Sequence, residues 1–77
     1  MYLICAFNLA DASACARRRQ LPPDHWRWVN TPGTLWAHPG AMVVRTNRWD
    51  IHFRAGRLQE ELSRAEAGGV IRSVIDE

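Results

Sequence analysis

Apolar residues recur along this chain with two periods, and the period switches several times. Tyr2–Phe7 is a continuous apolar run of strand length, the pattern of a strand covered on both faces. Asn8 or Asp11 can then cap a helix that carries Leu9, Ala12, Cys15 and Ala16 on one side. Arg17, Arg18 and Arg19 finish that helix, where cations oppose the negative end of its dipole, and Pro22-Pro23 stops it. A second strand follows in HWRWVN, rich in aromatics and bounded by turns. Thr31 offers an N-cap and Pro32 the favoured first helical position, predicting a short helix through Leu35 and Trp36 that ends at His38-Pro39-Gly40. The third strand is Ala41–Arg45. From Asp50 the period becomes helical again, with Ile51, Ala55, Leu58, Leu62 and Ala65 in one stripe and Arg57/Glu61 and Glu60/Arg64 as i,i+4 pairs on the solvated faces. Gly68-Gly69 closes this helix, and Val70–Ile75 is the last strand.

The resulting order is β-α-β-α-β-α-β. Strands alternating with helices imply a parallel sheet with right-handed crossovers and helices on its faces. The two most apolar strands, the first and the third, belong in the middle. A small four-stranded parallel α/β domain with strand order 2-1-3-4, flavodoxin-like, is the expectation; a truncated Rossmann-like 3-2-1-4 is its competitor.

Composition changes this picture in three ways. Seventy-seven residues make one domain, which buries only about 60% of the surface its unfolded chain exposes. A core of that size supplies roughly 3–5 kcal/mol, so self-association as a homodimer is a further source of stability. The two cysteines, Cys5 and Cys15, sit in apolar, alanine-rich surroundings and read as buried, reduced thiols of a cytoplasmic protein. The apolar start MYLICAFNLA lacks a basic region and falls far short of the ~20 residues that cross a bilayer, so no membrane association is expected. All ten basic residues are arginines; with ten alanines and no lysine, this bias suggests a GC-rich genome. Residues 1–54 hold seven Arg against three acids (+4), and residues 55–77 three Arg against five acids (−2). The net +2 is far from the balance of a dedicated nucleic-acid binder.

Several kinds of chemistry lack their parts. The loop after the first strand, FNLADAS, has no glycine to let backbone amides approach a pyrophosphate. A Walker-type loop is impossible without lysine. His25, His38 and His52 are scattered, and the cysteines form no C-x-x-C, so no metal and no cofactor is expected. Asp50 and His52 point to different sides of a helix, Asp50 reads as the N-cap of the last helix, and a buried Cys5 is inert. We therefore expect no enzyme.

Binding has more to work with. Arg17, Arg18, Arg19, Arg27, Arg45, Arg48 and Arg54 can neutralise phosphates while Trp26, Trp28 or Trp49 stack on bases, which outlines a nucleic-acid binder. The placement opposes it: Arg17–Arg19 end a helix that runs away from the sheet's carboxyl edge, where Arg45 and Arg48 lie. Of the four tryptophans, Trp26 and Trp28 share one face, while Trp49 stands in a polar loop and is expected to be exposed. Trp and Arg are the residue types enriched in interface hot spots. A protein-binding patch of Arg45, Asn47, Arg48, Trp49 and His52 at the carboxyl edge is the favoured reading. A degenerate nucleotide-binding fragment using Asn8, Asp11, Thr46 and Asn47 is a third.

The pieces ACARRRQLPP, HWRWVN, TPGTLW and RTNRWD resemble small uncharacterised Rossmann-like α/β proteins encoded by phages of GC-rich actinobacteria. The resemblance is of pattern and spacing over most of the chain and brings no catalytic residues with it. It implies a small accessory protein that engages a host protein during infection.

Overall fold

Alternating strands and helices wind into one parallel sheet in the computed structural model, which describes all 77 residues. Strand β1 is Tyr2–Cys5, β2 Trp26–Trp28, β3 Ala41–Arg45 and β4 Ile71–Asp76. Helix α1 is Leu9–Arg18, α2 Pro32–Ala37 and α3 Ala55–Ala67. The strand order is β2-β1-β3-β4 with every pair parallel, as the pattern predicts. The two central strands are the two most apolar, because only a strand flanked on both sides and covered on both faces excludes water completely.

Strict alternation along β1 splits the core in two. Leu3 and Cys5 face one side, where they meet Val29, Val43, Leu35 of α2 and Leu58, Leu62 and Ala65 of α3. Ile4 and Ala6 face the other, where they meet Val44 and Ala12, Cys15 and Ala16 of α1. Trp26 and Trp28 border the α1 side together, as their spacing requires. Each fully buried Leu, Ile or Val contributes about 1.5–3 kcal/mol by leaving water. The alanines and Cys15 that α1 buries against the sheet are all small.

Both long helices end in the same hydrogen-bonded turn, one on glycine and one without it. After α3, Gly69 takes φ +76° and Val70 N–H reaches back to Ala65 O at 2.9 Å. After α1, Gln20 takes φ +56° and Leu21 N–H reaches Ala16 O at 2.9 Å. Leu21 then packs on the α1-side cluster, which holds the glutamine in a conformation that favours glycine.

Several local expectations are corrected. The last helix starts at Ala55, not Asp50: Trp49–Ile51 forms a separate 3-10 turn, and the residue at the N-cap of α3 is Arg54, with no side-chain cap. Asp50 is exposed and caps nothing. Ile51 is 56% exposed and lies outside the stripe, because the extended backbone at His52 breaks the helical phase. Leu9, the first residue of α1, also faces solvent, at 54% exposure. The second strand is shorter than HWRWVN, with His25 in a 3-10 turn behind Pro22-Pro23, where proline nitrogens offer no ladder donors. On α3 the expected i,i+4 ion pairs give way to Arg64–Glu61 at 3.6 Å, and Glu61 also accepts the Trp36 indole N–H at 3.1 Å. No helix is long and apolar enough to cross a membrane.

Candidate functional site

The carboxyl edge of the sheet collects most of the chain's polar chemistry, arranged around three side chains. The first is Asp11. Asn8 caps α1 by accepting the Asp11 N–H at 2.8 Å, and the Asp11 carboxylate accepts the Phe7 N–H at 3.0 Å in return. The same oxygen accepts the hydroxyl of buried Thr46 at 2.6 Å, which ties the end of β1 to the end of β3. A carboxylate therefore occupies the positive end of α1, the place where a nucleotide phosphate would have to sit.

The second is Arg45. Its guanidinium grips Asp76 of β4 with two nitrogens, one at 2.7 Å, and donates to Gln59 of α3 at 2.8 Å. It also lies 5.6 Å from the centre of the Trp49 ring. Hydrogen bonds from Arg45 hold the Asp76 carboxyl below its usual range. Trp49, expected to be exposed, is half-buried and packs on the α3-side core. Cys5 beneath this cluster has its thiol pushed up to about 12 by burial, so it stays protonated and unreactive at neutral pH. Both cysteines are buried and unpaired.

The third is His52, which is corrected from a contact residue to a structural one. It is 5% exposed. Its Nδ1 accepts the Arg54 N–H at 3.0 Å, so the proton sits on Nε2, which points at Asn30 Oδ1 at 3.0 Å. Burial, then the charge of Arg54, pushes its pKa down and keeps the ring neutral. Both nitrogens are committed, which leaves none for general-base work. The imidazole meets Trp28 edge-on at 5.9 Å, and Phe53 stacks on it at 4.8 Å.

Phe53 is the residue that sequence reasoning passes over. It is 80% exposed, yet it stacks on His52 and lies with its centre 4.4 Å from the Arg54 guanidinium. Its only signal in the sequence is its place in RTNRWDIHFR, between the stripe positions Ile51 and Ala55. Arg48 and Asn47 are exposed as expected, with Arg48 lying 5.1 Å from the Phe7 ring centre.

The arginines at the end of α1 are not where the helix direction puts them. Arg18 and Arg19 both reach Glu77, just past the end of β4, so Arg18 and Arg48 flank one shallow hollow with Asp11, Asn47 and Glu77. A neighbouring hollow is lined by Arg45, Thr46, Asn47, Trp49 and three carboxylates, Asp50, Asp76 and Glu77. Arg17 is exposed, and Arg27 donates to the Trp26 carbonyl at 2.9 Å on the opposite edge strand. The basic residues thus alternate with acids instead of forming a stripe, and no three His, Cys, Asp or Glu side chains converge as a metal site. No family model, curated protein or solved structure matches the chain.

Proposed function

We propose that this protein is a non-enzymatic docking module that engages another protein through the exposed part of the Asn47–Arg54 segment, with Phe53 and Ile51 as apolar anchors and Arg48 and Asn47 beside them. If the chain is phage-encoded, like the proteins it resembles, that partner is a host factor. The observation that carries this reading is Phe53: a ring 80% exposed yet already in contact with His52 and the Arg54 guanidinium loses less freedom when a partner covers it. Arg45, Trp49 and His52 support the segment from behind.

The test is an affinity pulldown from the native lysate with wild type and Phe53→Ser. Removing an exposed ring leaves the core intact, and a hot-spot residue is worth about 2 kcal/mol or more, so partner recovery falls by ~30-fold. Equal recovery of the same partners by both proteins sinks the reading. A nucleic-acid reading draws on the Arg48–Phe7 and Arg54–Phe53 stacks. It requires binding that falls steeply with salt, whereas a Phe53-centred protein contact loses little.

A further inference from the structure

The two edges of the sheet are unequal. The β2 edge is three residues long and is entered from Pro22-Pro23. The β4 edge is six residues long, contains no proline, and pairs only with β3. Glu77 N–H donates to Arg45 O at 2.9 Å, which sets the phase of the strand. Glu77 and Ile75 direct their backbone polar groups inward, so Val74 and Asp76 direct theirs outward. Such a row of free N–H and C=O groups is a template for another strand.

The sequence of this edge says which strand fits. When two copies of one strand pair antiparallel about a twofold axis, each residue faces its mirror position about a central residue. Centring on Val74, whose polar groups point outward, sets Arg72 opposite Asp76 of the second copy, and Asp76 opposite Arg72. Centring on Ser73 or Ile75 puts inward-directed groups on the axis and matches a charged residue with Val74. Only the Val74 register is complementary in both hydrogen bonding and charge. Asp76 has room for a second arginine, because each of its oxygens accepts one bond from Arg45 and its side chain is 62% exposed. Arg72 is itself exposed.

We propose that β4 is a self-association edge, joining two copies of this chain antiparallel across Arg72–Asp76 into one continuous sheet. The irregular register where Ile71 and Ser73 pass Ala41 and Met42 ends the contact at Arg72. The twofold uses both β4 edges and leaves only the short β2 edges outside, so the assembly closes at two. This contact is independent of the Phe53 surface.

Sedimentation velocity on the full chain tests it. Wild type is expected to move from 8.8 kDa toward twice that mass as concentration rises. Val74→Pro deletes an outward N–H that the monomer does not use, and should stay monomeric. Arg72→Glu sets like charges opposite at two symmetric places and should weaken the dimer by ~10-fold or more. Amide exchange at Val74 and Asp76 should slow with concentration, while the Glu77 amide should not change. Should Val74→Pro fail to fold, Arg72→Glu and the exchange pattern decide. A wild type that remains at 8.8 kDa up to ~1 mM, or an Arg72→Glu variant that dimerises as well as wild type, overturns the proposal.

Discussion

Three residues carry the chain from β1 into α1, whereas nine carry it from β3 into α3. The short passage starts its helix locally: Asn8 and Asp11 exchange hydrogen bonds with the backbone around them, within four residues. The long one has no cap of its own. It is held by His52, whose partner Asn30 lies 22 residues away on the loop after β2. One helix start is built from local sequence and the other from tertiary contact. The second kind leaves side chains such as Ile51 and Phe53 on the outside, with no duty in the fold.

Replacing Asp11 should have the largest effect, because its carboxylate also serves β3. Asp11→Ala orphans the Phe7 N–H and the hydroxyl of buried Thr46, and should cost about 3 kcal/mol in denaturant unfolding. A loss near 1 kcal/mol would mean that Asp11 acts as a local cap only. His52→Ala should cost about 2 kcal/mol by leaving the Arg54 N–H unpaired and taking from Asn30 Oδ1 its closer partner.

The histidine also gives its passage a pH dependence. Because the folded state lowers the His52 pKa, the unfolded chain binds the proton more readily. Stability from His52 is therefore complete above pH ~6.5 and falls as pH drops below that value through the folded pKa. Unfolding midpoints measured between pH 8 and 5 should show this slope in wild type and lack it in His52→Gln.

Smaller effects sharpen the contrast. Asn8→Ala removes one cap bond and should cost about 1 kcal/mol. Asp50→Ala should change stability by no more than ~0.5 kcal/mol, although Asp50 looks like a cap in the sequence. A loss of 1 kcal/mol at Asp50 would contradict the uncapped start of α3.

The same division marks what could be read from the sequence. Strand order, the three helices, the two-sided burial of β1 and the Asn8–Asp11 start follow from periodicity and capping chemistry, which act over a few residues. The start of α3 did not follow. Ile51 is at helical spacing from Ala55, but the 3-10 turn and the extended His52 put it out of phase. Nothing near His52 in the sequence names Asn30 as its partner. Likewise, helix direction alone sends Arg18 and Arg19 to the far edge, whereas both side chains reach Glu77, 59 and 58 residues away. The polar loop around Trp49 suggested an exposed indole, yet the Arg45–Asp76 pair that covers it joins residues 31 apart. At the carboxyl edge, local chemistry predicts the fold and long-range pairing decides which side chains are free.

The edge-on contact between His52 and Trp28 has an optical consequence. A neutral imidazole is a weak quencher of indole emission, whereas an imidazolium accepts an electron from the excited ring. Protonation of His52 should therefore dim Trp28 at 5.9 Å without any label. The molecule carries its own fluorescent reporter of the proton that loosens its longest strand-to-helix crossing.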